Sequence, residues 1–106
     1  MKSLRKRIVP LVAILLAGCS WVTLSTEGEQ VRVANMATVA DCKRVGKTTV
    51  STLSKVAGLS RYEESIQDEL NILARNSAVE LGGDTVVPLS PIVEGRQEFA
   101  VYRCNP

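Results

Sequence analysis

The three cysteines are the residues of this chain best suited to covalent chemistry, and their settings differ. Cys19 closes the stretch Leu16-Ala17-Gly18-Cys19, whereas Cys42 and Cys104 lie far apart in the rest of the chain. The sequence contains no histidine, which removes the commonest general base, the usual partner of a serine or cysteine nucleophile and the commonest metal ligand. The missing histidine therefore argues against a catalytic site, and we expect no enzyme.

The first 18 residues have the three regions of a cleavable export signal. A basic start contains Lys2, Arg5, Lys6 and Arg7, and an apolar run from Ile8 to Ala17 leads into small residues. The run is shorter than the roughly 20 apolar residues of a transmembrane helix and is interrupted by Pro10. The alternatives at this point are ordinary cleavage beside an incidental cysteine and cleavage coupled to lipid attachment.

The stretch Leu16-Ala17-Gly18-Cys19 resembles the lipobox of bacterial lipoproteins. The resemblance implies that the Cys19 thiol receives a diacylglyceryl group and that Cys19 becomes the first residue of the mature chain. Two acyl chains, at about 0.8 kcal/mol per buried methylene, hold a protein at a membrane where one chain does not. The protein is therefore expected in the cell envelope. Ser20 after the cysteine, instead of Asp, favours the periplasmic face of the outer membrane.

Cleavage after residue 18 leaves 88 of the 106 residues, enough for one small domain without a second core. We expect residues 19–29 to form a lipidated N-terminus with a short tether and residues 30–106 to form the domain. Trp21 either lies at the level of the lipid headgroups or packs on the domain with its neighbours. Both alternatives remain open from the sequence.

Once Cys19 carries lipid, Cys42 and Cys104 remain as a pair. Export places them in an oxidising compartment, where a disulfide is the usual state of two cysteines in a small domain. The alternative, a redox-active dithiol, lacks the Cys-x-x-Cys spacing that lowers a thiol pKa. We therefore predict a structural disulfide between Cys42 and Cys104.

Charge and aromatic content exclude several kinds of ligand. The whole chain has a net charge of +2, but four of its 13 basic residues lie in the signal, so nine remain against 11 acidic residues and the mature net charge is −2. Without a basic patch or a stacking platform, nucleic acid is not an expected partner. Gly46-Lys47-Thr48 resembles the end of a phosphate-binding loop, but Asp41 occupies the position of its first glycine. We expect no cofactor and no metal.

The clearest secondary-structure signal is a helix from about Arg61 to Leu81. Ser60 and Glu63 match the S-x-x-E capping box, and Gly82-Gly83 provides a stop. At 100° per residue the predicted core face is Tyr62, Ile66, Leu70, Leu73, Ser77 and Leu81. The acidic residues of the first turns (Glu63, Glu64, Asp68 and Glu69) suit the helix dipole and need no acid–base chemistry to explain them.

The opposite face of this helix carries Ile72, Asn76 and Val79. These are either ordinary surface residues, since single exposed apolar side chains are common, or part of a contact surface for another protein. They are the candidate partner surface that the sequence offers.

Four strands are predicted around the helix: Gln30 to Met36, Asp41 to Leu53, Asp84 to Leu89 and Gln97 to Cys104. Pro88 and Pro91 indicate that the third strand is an edge strand or a short one. The segment from Lys55 to Leu59 is predicted to be a loop. The predicted fold is α+β: a small four-stranded antiparallel or mixed sheet in the order strand-strand-helix-strand-strand, with one covering helix and a disulfide staple.

Several segments together resemble the YjeI-like group, a family of small bacterial lipoproteins of unknown function. They are Leu16 to Cys19, Cys42 with Val45-Gly46, Ala74-Arg75-Asn76-Ser77-Ala78 leading into Leu81-Gly82-Gly83-Asp84 and Val86, and Val101-Tyr102-Arg103-Cys104. The layout is more distantly similar to the outer-membrane stress-sensor lipoprotein of the Rcs phosphorelay, which has a longer proline-rich linker and additional cysteines. That similarity implies envelope sensing only by analogy. We expect a protein-interaction or sensing module with an envelope protein as partner; the alternative is a structural lipoprotein without a regulated partner.

Overall fold

A computed structural model describes residues 22–105. Its elements are two short 3-10 turns, Gly28–Gln30 and Met36–Val39, the strands β1 (Arg32–Val33), β2 (Lys43–Ser51), β3 (Lys55–Val56), β4 (Leu59–Ser60), β5 (Thr85–Pro88) and β6 (Arg96–Arg103), and the helix α1 (Glu63–Glu80). Four of the strands form the main sheet, and β3 and β4 form a separate hairpin.

The main sheet has the strand order β1-β5-β6-β2. β1 runs parallel to β5, whereas β5 and β2 both pair antiparallel with β6, so the sheet is mixed. The predicted α+β fold and its strand-strand-helix-strand-strand order are confirmed. The third strand was predicted to be an edge or a short strand: β5 is short, with four residues, but it is not at an edge, because it lies between β1 and β6. Its residues Thr85 to Val87 are buried, and Pro88 is tolerated because it is the last residue of the strand.

Helix α1 begins two residues later than predicted. Its N-cap is Tyr62, which makes no capping side-chain hydrogen bond, and Ser60 is paired with Lys55 in the hairpin. The predicted capping box is therefore wrong. The glycine stop forms as predicted: Gly82 has φ 77°, its N–H donates to the Val79 carbonyl, and the Gly83 N–H donates to the Ala78 carbonyl.

The core lies between α1 and one face of the sheet. The buried stripe of the helix is Ile66, Leu70, Ala74 and Ala78, and it packs on Val86, Phe99 and Val101, among others. Of the predicted face, Ile66 and Leu70 are correct. Tyr62 is 85% exposed and Leu81 41% exposed, while Leu73 is only half-buried. Leu73 packs against the edge of the core and Ser77 is half-buried, whereas the unpredicted Ala74 and Ala78 are fully buried. Small alanines let the helix backbone approach the sheet closely.

The second face of the sheet is also covered. The turn Met36–Val39 places Val39 in a cluster with Val87, Ala100 and Tyr102, and Cys42 and Cys104 pack against that cluster. Both faces of β5 and β6 are therefore buried, which explains why β6 reads as an almost continuous apolar run from Phe99 to Tyr102.

A disulfide joins Cys42 and Cys104, whose alpha carbons lie 4.6 Å apart. Cys42 directly precedes β2 and Cys104 directly follows β6, and the adjoining residues Lys43 and Arg103 are paired in the sheet. The predicted pairing and its placement at the ends of two strands are confirmed.

Residues predicted to form a loop instead form the β3–β4 hairpin. Val56 pairs directly with Leu59 across the two-residue turn Ala57-Gly58, in which both residues have positive φ (52° and 79°). This is the type I′ geometry that matches the twist of a hairpin. The sequence signal was weak because Ala57 stands where asparagine or glycine is usual.

Candidate interaction surface

The chain entering the domain is fastened to helix α1. The Ser25 N–H donates to Asn76 Oδ1 (2.9 Å), and Asn76 Nδ2 donates to the Thr23 carbonyl (2.9 Å). Arg75 Nε donates to the Val31 carbonyl (2.7 Å) and its Nη2 to the Glu29 carbonyl (3.2 Å). From Thr23 to Val31 the chain therefore lies on the domain. The signal, Cys19 and Trp21 lie outside the described residues.

These hydrogen bonds cover part of the surface of Ile72, Asn76 and Val79 that the sequence suggests as a contact surface. Both polar groups of the Asn76 amide are engaged by the N-terminal segment, and Val79 packs half-buried against the core. Ile72 is also half-buried. The structure does not present Ile72, Asn76 and Val79 as an open face, because the chain's own N-terminal segment binds at its centre.

A different apolar surface is exposed at the β3–β4 hairpin. We call Leu53, Val56, Leu59 and Tyr62 the hairpin surface; these side chains are 53, 48, 75 and 85% exposed. They supply four of the eight large hydrophobic side chains that are exposed within residues 22–105, although they lie within ten consecutive positions. Val56 and Leu59 are directly paired and so project from the same side of the hairpin. This exposed apolar pair makes the hairpin the candidate interaction site of the described residues.

An ion pair and hydrogen bonds attach the hairpin to the rest of the domain. Arg61 forms an ion pair with Glu69 of α1, and the two side chains are only 15% and 14% exposed. Arg61 Nη1 also donates to the Leu53 carbonyl (2.9 Å), and the Thr52 hydroxyl donates to Glu69 Oε1 (2.8 Å). A backbone hydrogen bond from Arg61 to Ser54 closes the hairpin. Glu69 of α1 therefore joins Arg61, at the end of the hairpin, to Thr52, which directly follows β2.

A second tight turn lies beside the hairpin. Val93 and Arg96 form an isolated bridge across Glu94 and Gly95, whose φ values are 50° and 74°. The Thr52 N–H donates to the Gly95 carbonyl (2.8 Å), and a side chain at Gly95 would lie 2.2 Å from the Thr52 carbonyl oxygen. This close approach fixes the turn against the end of β2. A groove of about 360 Å³ separates the turn from the hairpin.

The N-terminal segment reaches the neighbourhood of the hairpin surface. Val22, Leu53 and Leu73 line one cleft of about 480 Å³. The point at which the described chain begins is therefore close to the hairpin. Only two residues, Ser20 and Trp21, separate Val22 from Cys19.

Residues 22–104 match the family model described as a domain of unknown function, DUF4156. The chain belongs to this family. No curated protein and no solved structure matches it. The DUF4156 domain includes the N-terminal segment fastened to α1, the hairpin and both disulfide cysteines.

The four acidic residues in the first turns of α1, within the DUF4156 domain, fall into two groups. Glu69 is engaged by Arg61 and Thr52, whereas Glu63, Glu64 and Asp68 are exposed on the first turns of α1. Within residues 22–105, no group of three or more candidate ligands is placed to hold a metal ion. Across the same residues, no helix has the length and apolarity needed to cross a membrane.

The Asp84 carboxylate of the DUF4156 domain is hydrogen-bonded to groups of the fold itself. Its carboxylate accepts hydrogen bonds from the N–H groups of Cys104 (2.9 Å) and Asn105 (2.8 Å) and from the Thr85 hydroxyl (2.9 Å). Burial alone would raise the pKa of this carboxyl, but these hydrogen bonds and the charge of Arg32 outweigh it, and the pKa of Asp84 is lowered. The ionised carboxylate fastens the chain that follows β6, so its oxygens serve the fold.

Sequence reasoning missed the hairpin surface, although a signal for it existed. Leu53, Val56, Leu59 and Tyr62 recur every third residue among polar and small residues. This spacing fits neither a single helix face nor a strand. Residues that follow neither period cannot all be assigned to one core-facing side.

Proposed function

We propose that this protein is a lipid-anchored envelope protein whose domain binds another envelope protein through the hairpin surface. The lipobox-like stretch ending at Cys19 supports the anchor. Three residues of extended chain span about 10 Å, so lipid on Cys19 would hold Val22, and the cleft it shares with Leu53, near the membrane. The YjeI-like relationship and the more distant similarity to the Rcs stress sensor are part of the same proposal, and so is a place on the periplasmic face of the outer membrane.

The observation that carries the binding role is the exposed and rigidly mounted hairpin surface. Leu59 and Tyr62 are largely exposed and Leu53 and Val56 about half-exposed, and the ion pair of Arg61 with Glu69 holds the end of the hairpin on α1. A preorganised surface loses less conformational entropy on binding than a loose loop does. Tyr62, at 85% exposure, is also of a residue type that often dominates binding energy at protein interfaces.

The proposal assigns no reaction to the domain. Of the carboxylates considered for acid–base work, Glu69 is bound to Arg61 and Thr52. The carboxylate with the lowered pKa, Asp84, is bound to backbone N–H groups. Glu69 therefore attaches the hairpin to α1, and Asp84 stabilises the chain that follows β6.

Photo-crosslinking in cells tests the binding role. A photoreactive amino acid is placed at position 59 and, as a matched control, at position 80, because Glu80 is also exposed but lies at the far end of α1. We expect position 59, and not position 80, to give a discrete protein adduct in the membrane fraction. Equal adducts from both positions, or none from position 59, would favour a structural lipoprotein without a specific partner.

A further inference from the structure

The main sheet ends on one side in a long strand whose outer edge is unpaired within residues 22–105. β2 is the last strand in the order β1-β5-β6-β2 and has nine residues, whereas β1, at the opposite edge, has only two. β2 contains no proline, and its bulge lies near its start, between Arg44 and Gly46. From Gly46 to Ser51 the strand is therefore regular, and a regular edge is a template for a further strand.

The outer edge of β2 offers free backbone groups. In an antiparallel pair, every second residue points its N–H and C=O groups away from the partner strand. The Thr52 N–H donates to the Gly95 carbonyl (2.8 Å) in the register of β2 on β6, so Ser51 and every second residue before it point outward. Arg96, the partner of Ser51, exchanges both of its backbone bonds with Val93 instead, as this alternation requires. Within residues 22–105, no hydrogen bond engages the outward backbone groups of the regular segment, which belong to Lys47, Thr49 and Ser51.

The charges along this edge are mainly positive. β2 and β6 together carry five basic side chains and one carboxylate, that of Glu98. Glu98 lies 3.8 Å from Lys47, but the two side chains are 44% and 53% exposed, and such a pair contributes little. Arg44 and Lys47 project from the sheet face that lies away from α1, because their partners Tyr102 and Ala100 belong to the cluster on that face. The edge therefore presents two cations side by side.

The opposite face of the same edge is apolar. A side chain placed at Gly46 would approach Leu81 Cδ1 to 3.4 Å, so Leu81 lies over this strand at the end of α1. Leu81 is 41% exposed. The side chains of a strand alternate between the two faces of a sheet. A strand added to β2 would thus place alternate side chains beside the cations and beside Leu81.

The cations restrict which strand fits. Lysines and bulges are devices by which natural proteins discourage pairing at sheet edges. A second copy of β2 would bring its own three basic residues to the junction, and like charges across a strand pair are destabilising. An acidic strand meets attraction instead, so the same cations select for it.

We propose that the outer edge of β2 binds an extended acidic segment of a partner protein, which joins the main sheet as a fifth strand. The backbone of the segment pairs with the outward groups of Lys47, Thr49 and Ser51. Its carboxylates lie beside Arg44 and Lys47, and its alternate apolar side chains lie beside Leu81. This edge is separate from the hairpin surface, so the inference goes beyond the proposed function.

Peptide binding to the purified full-length protein in non-ionic detergent tests the inference. A fluorescent probe alternates glutamate with valine, and its affinity is measured by fluorescence anisotropy. One control probe replaces every glutamate by lysine. The other keeps the glutamates but is methylated at every backbone nitrogen, so it cannot donate hydrogen bonds to the edge.

We expect the acidic probe to bind the wild type at least about tenfold more tightly than either control probe, because both charge and backbone donors are needed. Arg44→Gln and Lys47→Gln should each weaken binding about two- to five-fold, the size of exposed charge pairs. The matched control Lys55→Gln, an exposed lysine of the hairpin outside β2, should not.

Two further measurements address the backbone directly. Thr49→Pro removes one outward N–H while sparing the ladder to β6, and it should weaken binding about tenfold, whereas Thr49→Ala should not. In the wild type, bound probe should slow the amide exchange of Lys47, Thr49 and Ser51, followed by NMR. This second readout does not depend on how well the proline variant folds.

Three results would overturn the inference: a methylated probe that binds as tightly as the acidic one, equal effects of Lys47→Gln and Lys55→Gln, or unchanged amide exchange at Thr49 with probe bound. Slow exchange at Thr49 in a dimer without probe would assign the edge to a second copy and would overturn it too. The proposed function fails separately. If Leu59→Ser retains probe binding while position 59 yields no protein adduct in cells, the edge site stands and the hairpin role does not.

Discussion

Leu70→Ala is expected to lower the free energy of unfolding by about 2 to 5 kcal/mol. Leu70 is fully buried at the centre of the stripe by which α1 packs on the sheet. Removing its side chain deletes apolar burial and leaves a cavity that neighbours such as Phe99 cannot fill without distortion. Urea denaturation of a soluble form beginning at Ser20, followed by circular dichroism, measures the loss.

Two matched substitutions on the same helix and its cap make the Leu70 prediction specific. Leu73 is half-buried, so Leu73→Ala should cost clearly less than Leu70→Ala. Tyr62 is 85% exposed, so Tyr62→Ala should change stability by no more than about 0.5 kcal/mol. Similar losses for Leu70 and Tyr62 would mean that the core face of α1 is assigned wrongly.

Loss of the Cys42–Cys104 disulfide is expected to lower the free energy of unfolding by about 2 to 5 kcal/mol, an effect similar to that of Leu70→Ala. The bond joins residues 62 positions apart, and the chain-entropy model gives about 4 kcal/mol for closing a loop of this size in the unfolded chain. The double variant Cys42→Ser/Cys104→Ser avoids a leftover free thiol. Its urea midpoint, compared with that of the oxidised and reduced wild type, gives the size of the effect.

The same cysteines allow a structural role to be separated from a redox role. A structural bond predicts that alkylation of cell extracts under denaturing conditions finds Cys42 and Cys104 oxidised in unstressed cells. A substantial reduced fraction, or a double serine variant as stable as the wild type, would argue against the structural role. The register of β2 on β6, which places both cysteines at paired strand ends, favours a bond that the fold itself positions.

The sequence predicted the elements whose signals are local. The strand assignments near Lys43–Ser51 and Arg96–Arg103 follow from β-branched and alternating residues, and the end of α1 follows from Gly82-Gly83. The disulfide followed from the cysteine count and export. These predictions require no information about which residues far apart in the sequence come into contact.

The errors concern properties that only the tertiary fold determines. Pro88 and Pro91 indicate an edge or short strand, and β5 is short, but the two-residue strand β1 pairs with its outer side, so β5 is not an edge. Ala74 is fully buried although it was not among the predicted core residues, because neither spacing nor hydrophobicity reports how closely a helix approaches a sheet. In both cases packing overrides a local preference.

The surface of Ile72, Asn76 and Val79 is less open than the sequence suggests, for the same reason. Asn76 looked free on the far side of α1, but its amide binds Thr23 and Ser25, more than 50 residues away in the sequence. The hairpin, in contrast, was taken for a loop because Ala57 is an unusual residue for the left-handed position of a tight turn. Long-range hydrogen bonds of this kind leave no periodic trace in a sequence.

Fatty-acid labelling tests the central claim, that a lipid on Cys19 holds this domain in the envelope, most directly. Cells expressing the wild type or Cys19→Ala are grown with a labelled fatty acid, and the protein is then recovered from separated inner and outer membranes. The account predicts label on the wild type, in the outer-membrane fraction, and none on Cys19→Ala, which should also leave the membrane. Label that survives the substitution, or a wild type that carries none, would contradict it.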